Sequence, residues 1–401
     1  MKRKPVVVYV AHDVGGHGGM ELHLEEVISR LKNECELIVV STTLKLKNST
    51  GIRHIKIPVI TRPVPLRLVL FSIFATIRIA FIKRDILHTT GAIIFNSADF
   101  STVHFCHNGY INAVGNTRAK NNTSYFKKLN SLLASKIALF MESKIYKPSK
   151  TKNLIAVSNR VKEELDSNFA YDAKDVVVIP NGVDTKRFYP QSYNEKMHLR
   201  NKYNLPTQGT FLLFMGGDWP LKGLEYVVQS FSGLAQSFLD LYLIVVGKGD
   251  SKFYSSALEP SIRNRVIFAG KQTRPEDWMG MSDIFVFPSS YETFSLVVHE
   301  AAATGLIILA TRVGGVEDLI RDGKDGILIE RNLESITTHL NNILVELKSH
   351  RYLGENARKN VARLSWENTF EETMQIYKTY LIETKESRGG GFEYIYSQGK
   401  K

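Results

Sequence analysis

The stretch Phe211-Leu212-Leu213-Phe214-Met215-Gly216-Gly217-Asp218-Trp219-Pro220-Leu221-Lys222-Gly223-Leu224 reads as a buried strand, a glycine turn and a helix start. An apolar run without polar alternation suits a strand covered on both faces, the usual state of a parallel sheet. Glycines let the turn come close to a ligand, and the helix that follows offers free amides and a positive dipole end.

The same pattern recurs along the chain. Short β-branched runs at residues 6–10, 37–41, 86–89, 102–106, 154–157 and 176–179 alternate with helical patterns in the first half. Runs at 211–215, 241–246, 266–269, 284–288, 307–310 and 326–329 do so in the second. Alternation of this kind builds parallel sheets covered by helices, so the fold class is α/β with two Rossmann-like, doubly wound domains. The turn cluster Pro180-Asn181-Gly182-Val183-Asp184 separates the halves. Expected divisions are 1–185 for the first domain, 186–368 for the second, 369–387 for a helix packing back on the first, and 388–401 for a disordered tail. That helix ends one long helical pattern, residues 351–386.

A chain of 401 residues supports two domains. Cys35 and Cys106 are too few for a disulfide framework and read as buried, reduced thiols of a cytoplasmic protein. The first apolar run is too short for a signal-peptide core. The net charge of +12 is concentrated: residues 62–150 hold thirteen Lys/Arg against Asp85, Asp99 and Glu142. Nucleic acid is not the expected partner, because no recognition motif accompanies this charge.

Residues 66–82 are apolar but interrupted by Arg67 and Arg78. A spanning helix needs about 20 predominantly apolar residues, so an amphipathic helix on an anionic surface fits better. A core helix with two exposed arginines is the competing reading. Arg118, Lys120, Lys127, Lys128, Lys136, Lys144, Lys147 and Lys150, interleaved with apolar residues, favour the surface and a peripheral position on the inner face of the membrane.

Three other stretches carry chemistry. Gly15-Gly16-His17-Gly18-Gly19-Met20-Glu21 lies between the first strand and a helix. It lacks the P-loop pattern. Tyr291-Glu292-Thr293-Phe294-Ser295-Leu296-Val297-Val298-His299-Glu300 sets two carboxylates eight residues apart, with a helix expected to open near Phe294. The amides of Phe294, Ser295 and Leu296 would then point at an anion. Glu300, among small apolar residues, sits where carboxylates are paired or ligand-bound. In His104-Phe105-Cys106-His107-Asn108-Gly109-Tyr110, no further ligands complete a zinc set. Strand alternation would send the two histidines to opposite sides unless the chain turns between them. His107 lies at the strand mouth, where α/β sheets bind ligands; His104 reads as structural.

Taken in order, these stretches resemble the large retaining glycosyltransferase family 4, whose GT-B fold sets two Rossmann-like domains facing a cleft with a C-terminal helix crossing back. The likeness rests on Gly18 to Glu21, Val157-Ser158, Ile179 to Asp184, Lys222-Gly223, the Glu292/Glu300 pair and Gly314-Gly315. It implies transfer from a nucleotide-sugar, UDP-sugar before GDP-sugar, to a hydroxyl of a lipid-linked or glycan acceptor, with no cofactor or metal. It assigns Glu300 to the ribose, and Glu292 to the sugar. Phe294, Ser295 and Leu296 go to sugar and diphosphate, Lys222 with Gly217 to the diphosphate turn, and Lys271 to the base. Gly18 and Gly19 would close on the donor, and His107 would stand beside the reacting sugar. Family members carry an arginine before or beside the lysine. Here Asp218 and Leu221 stand there, leaving Lys271, Arg274 or Arg312 to supply the charge. A sugar-nucleotide epimerase or phosphorylase, or an inactive subunit that has kept the fold, are the alternatives.

Overall fold

The computed structural model describes residues 2–16, 18–115, 125–388 and 393–394. They fall into two compact units, residues 1–182 with 366–401, and residues 183–365.

In the first unit β1 (Val6–Val10), β2 (Glu36–Ser41), β3 (Ile52–Lys56), β4 (Ile86–Thr90), β5 (Ala98–Val103), β6 (Thr151–Ala156) and β7 (Val176–Val178) form one sheet. Its order is β7-β6-β5-β4-β1-β2-β3, and every pairing is parallel. Helices α1 (Gly19–Glu34), α2 (Val64–Ala80), α3 (His107–Val114), α4 (Tyr125–Ile145) and α5 (Asn159–Asn168) connect the strands. Side chains alternate across the sheet. Val7 and Tyr9 join α1 on one face, while Val8 and Val10 join Phe71, Ala75 and Ile79 of α2 on the other. Strand β3, whose residues are partly buried or exposed, lies at the edge, and its mixed Ile-Arg-His-Ile-Lys composition hides it from a search for apolar runs.

The second unit follows the same logic. Helix α6 (Tyr193–Lys202) opens on a capping box between Ser192 and Glu195. Then come β8 (Thr210–Met215), α7 (Leu224–Leu234), β9 (Leu241–Val246), β10 (Val266–Gly270), β11 (Ile284–Phe287), α8 (Leu296–Ala303), β12 (Ile307–Thr311), β13 (Ile327–Ile329), α9 (Leu333–Val345) and α10 (Arg351–Val361). The sheet order is β10-β9-β8-β11-β12-β13, all parallel. Phe211, Leu213 and Met215 face one core and Leu212 and Phe214 the other, which is why the strand reads as continuously apolar.

Three expectations need correction. The strand expected at 102–106 is β5, ending at Val103, so His104 to Cys106 are loop. The single helical pattern over 351–386 is two helices, α10 and α11 (Trp366–Arg388). Between them Leu364 turns back, its amide donating to Val361 O at 2.9 Å while its carbonyl accepts from Val183 N at 2.8 Å. In the expected tail, α11 runs to Arg388, and Glu393–Tyr394 pairs in parallel with Lys2–Arg3; the rest of it lies outside the described residues. So do His17, Arg118 and Lys120.

Helix α11 belongs to the first unit, where Met374, Tyr377 and Leu381 complete the core over β1 and α1. Tyr377 Oη hydrogen-bonds the ring of buried His88. Both cysteines are buried and free, and burial pushes each thiol up to about 12. Replacing Leu381 by Ala should cost about 2–5 kcal/mol, read as a lower urea midpoint. Replacing exposed Ile382 on the same helix should change stability by less than about 0.5 kcal/mol.

Candidate functional site

Leu213 of β8 pairs with Phe285 of β11. From β8 the chain continues outward to β9 and β10, then returns to lay β11 on the other side. The loops leaving these two strands therefore part at a topological switch point, the place where open α/β sheets bind ligands.

The loop after β8 ends in a single helical turn, Trp219–Lys222, capped by Asp218, whose Oδ1 accepts from Leu221 N at 3.2 Å. Gly223 follows at φ +78°, and a Cβ there would lie 2.4 Å from Pro288 O. The turn thus rests directly on the end of β11 and brings Lys222 to Glu292 as an ion pair. The two side chains are only 18% and 14% exposed, so both charges have little water around them.

Glu292 and Phe294 are held from behind by the turn after β12. Gly314 N donates to Glu292 O at 3.2 Å. A Cβ on Gly314 would stand 2.5 Å from that oxygen, and one on Gly315 2.0 Å from Phe294 O. Helix α8 opens at Leu296, later than expected. Phe294 stays outside it, buried, with its ring 4.1 Å from that of His299. Ser295 caps the helix at φ +64°, a left-handed conformation costly for any residue but glycine. Its hydroxyl is buried without a partner. The amides of Leu296 and Val297 precede the first helical bond, Val298 N to Ser295 O at 2.9 Å, and are the ones placed to meet an anion.

Glu300 lies inside α8. Burial pushes its carboxyl up to about 8, against the opposing pull of Arg187. Arg187 itself pairs with Glu276 at 2.7 Å. Gly217 is exposed, with nothing within reach of a Cβ, and Lys271 is exposed just beyond β10. Of the substitutes for the absent arginine, Arg274 binds Asp277 at 2.9 Å and Arg312 lies 3.9 Å from Asp322. Sequence reading missed Arg331. Its guanidinium donates to Pro288 O at 3.0 Å and Pro220 O at 2.8 Å and packs over Tyr226, tying together the loops that carry Glu292 and Lys222. A basic residue just beyond an expected strand was its only signal.

A larger cavity of about 540 Å³ lies at the opposite, N-terminal ends of β8, β9, β11 and β12. Its charges answer one another: Asp283 takes Lys196 at 2.8 Å and Arg200 at 3.0 Å. That cluster anchors α6.

In the first unit the switch point lies between β1 and β4. Gly15, at φ +74°, passes so close to Lys45 O that a Cβ would stand 1.9 Å from it. Gly18 caps α1, accepting from Leu22 N at 3.0 Å, and Gly19 begins the helix. His107 begins α3; Glu142 Oε1 accepts from its backbone N at 3.0 Å and meets its Nδ1 at 2.7 Å. Glu142 is 3% exposed, and its Oε2 has no partner. Because β5 ends at Val103, the chain turns after it. His104 and His107 then line one cavity of about 420 Å³ together with His12, Thr90 and Glu142, and the His104 ring also packs 4.5 Å from that of His23. Among the described residues no group of three His, Cys, Asp or Glu is placed to hold a metal ion.

Comparison with known proteins matches residues 17–187 to the family model "Glycosyltransferase Family 4" and residues 195–360 to "Glycosyl transferases group 1". An uncharacterised glycosyltransferase of Methanocaldococcus jannaschii is 30% identical over 232 residues, 56% of this chain and 59% of the relative. The chain spans about half the length of the first curated relatives it matches. Among solved structures, the lipopolysaccharide-biosynthesis glycosyltransferase WaaG superposes with TM-score 0.76 at 18% identity, covering 92% of this chain and 99% of that one. HepE of Anabaena, solved with UDP-glucose, gives 0.66 at 16% identity over 96% and 100% of the chains. These likenesses show the fold: two parallel-sheet α/β domains of the GT-B type.

Glu300 has a consequence for stability. Folded, the carboxyl keeps its proton up to pH about 8; unfolded, it releases it near the ordinary 4.5. The folded state thus binds more protons between these values, and stability falls as pH rises through that window. Glu300→Gln should flatten that decline and leave the protein more stable than wild type above pH 8, measured by urea unfolding across the range. Parallel pH profiles would show that Glu300 has no such effect.

Proposed function

This chain belongs to glycosyltransferase family 4, and we propose that it moves a sugar from a nucleotide-sugar, UDP-sugar before GDP-sugar, to a hydroxyl acceptor with retention of anomeric configuration. The observation that carries the reading is the largely buried Lys222–Glu292 pair beside the free amides of Leu296 and Val297 at one switch point. A cation and a helix N-terminus at the same place suit a diphosphate. In this reading the incoming diphosphate takes Lys222, and Glu292 is released to accept from sugar hydroxyls. Glu300, kept neutral by burial, is suited to ribose hydroxyls, donating as an acid and accepting through its other oxygen. Lys271, Gly217, Gly18 and Gly19 are assigned to the donor, and His107 to the reacting sugar, by likeness to the family's motifs.

The chemistry asked of these groups is electrostatic. The bond from the anomeric carbon to the phosphate oxygen breaks, and the nucleoside diphosphate leaves with the electron pair. The acceptor hydroxyl attacks from the same face, and its proton passes to the departing phosphate oxygen. Lys222 and the helix amides stabilise the charge that develops on the diphosphate, so the proposed step asks for no divalent ion. The presence of UDP-glucose in Anabaena HepE supports the choice of base. We place the reaction at the inner face of an anionic membrane, in cell-surface polysaccharide or glycolipid synthesis. No described helix is long and apolar enough to cross a membrane; support for peripheral docking comes from exposed Lys127, Lys128, Lys136, Lys144, Lys147 and Lys150.

Mass spectrometry of the protein with a panel of sugar nucleotides should show transfer, or slow hydrolysis, of one UDP-sugar. Lys222→Ala and Glu292→Ala should each lower kcat/KM by about 10²–10³-fold, the usual loss for one charge-stabilising group. An epimerised donor without transfer, or nucleotide binding without turnover when membrane extract supplies the acceptor, would overturn the proposal.

A further inference from the structure

The cavity of about 540 Å³ in the second unit lies where the strands begin, not where they end. It is bounded by α6, by α10 and by the residues that lead into β8, β9, β11 and β12. The length of β8 puts it about 20 Å from the turn that carries Lys222. A ligand held here therefore meets neither Lys222 nor Glu292. The volume falls within the range of small-molecule sites, about 300–1,000 Å³, and one hexose ring does not fill it.

Anchoring α6 uses only part of the polar lining. Lys196 and Arg200 are committed to Asp283. Asp240, Arg351 and Glu355 are exposed and enter no ion pair among the described residues. Tyr193, 65% exposed, lines the rim, and Gln208 Nε2 donates to its hydroxyl at 3.0 Å. That bond leaves the tyrosine's own hydroxyl hydrogen and the amide oxygen of exposed Gln208 to a partner. All five side chains are open to solvent, so a ligand can reach them without prising the core apart.

The balance of charge decides the class of ligand. Three acids and three bases line the cavity. Outside the Asp283 cluster, one cation stands with two carboxylates. An anion entering there would face Asp240 and Glu355, and a cation would face Arg351, so neither gains. Hydroxyls suit the set better: they donate to the carboxylates and accept from the guanidinium, each bond assisted by charge. The tyrosine ring adds rigid, amphipathic contact area at little cost in entropy, which suits the C–H face of a sugar ring.

We propose that this cavity is a second, non-catalytic site for an uncharged oligosaccharide, whose hydroxyls bond Asp240, Glu355 and Arg351 and one of whose rings lies on Tyr193. The site stands apart from the transfer reading, since no group in it belongs to the crevice of Lys222 and Glu292. A glycan held here stays with the protein between encounters, which raises its effective concentration beside the second unit without a new contact at the crevice.

An array of neutral, uronic-acid-bearing and sulfated glycans, probed with the full chain, tests the class of ligand. Calorimetry with the retained oligosaccharide then tests the place. Neutral glycans should be retained and acidic ones should not. Tyr193→Ala, Asp240→Ala and Glu355→Ala should each weaken binding about tenfold, the usual loss for one strong hydrogen bond. Glu292→Ala should bind the glycan as wild type does. The three cavity positions are exposed, and circular dichroism checks that each variant is folded; should one fail, Arg351→Ala takes its place. An array that retains no neutral glycan, or only acidic ones, overturns the proposal. So does binding that survives in the folded cavity variants, and loss in Glu292→Ala alone would put the glycan at the crevice instead.

Discussion

Strands β8 and β11 lie side by side and parallel, with Leu213 opposite Phe285, although 70 residues separate them from Lys222 to Glu292. Everything proposed for the crevice of the second unit follows from that pairing. Parallel neighbours end at the same edge of the sheet, so the loops that leave them start at the same height. Because the chain continues outward from β8 and comes back for β11, those loops diverge and leave a crevice. Gly223 and Gly314-Gly315 then do the fine placement: each lets backbone approach backbone where a Cβ would collide. Lys222 and Glu292 meet because three loops have no room to sit elsewhere.

The ion pair that results has a price in specificity rather than in stability. Two partly buried opposite charges attract strongly but have lost much of their hydration, and removing one leaves the other stranded. A ligand that brings its own negative charge to Lys222 and its own hydroxyls to Glu292 solves both problems at once. Ser295 adds to this tension. Its left-handed backbone and unpartnered hydroxyl are local costs, tolerated where helix α8 must start abruptly to present its amides.

Much of this was legible in the residues and some was not. Strands buried on both faces announce themselves as apolar runs, so β1, β2, β4 and β8 to β12 were read within a residue or two of their observed ends. Edge strand β3 escaped because its Ile-Arg-His-Ile-Lys holds neither an apolar run nor a regular alternation. For β5 the apolar and β-branched residues 102–106 outran the strand, so the side that His104 faces, which depends on where alternation stops, could not be read. Glu292, Glu300 and Lys222 could be singled out by type and setting; that Lys222 binds Glu292 could not, since it needs the β8–β11 pairing. Arg331 acts through two carbonyls, those of Pro220 and Pro288, and a residue that recognises only backbone leaves no complementary side chain to find.

The two units apply one topology to opposite chemical ends. At the switch point of the second, the fold gathers a cation and outward-facing amides, which together select for negative charge. At that of the first, it gathers a buried carboxylate and histidines: burial lowers His12 to about 4 and drives His104 well below the ordinary range, so both rings are neutral. Basic charge in this unit is instead displaced outward, onto the exposed flanks of α2 and α4. Among the described residues, the cavity of this unit is lined by no lysine or arginine, and the exposed charge of α2 and α4 is available to a surface.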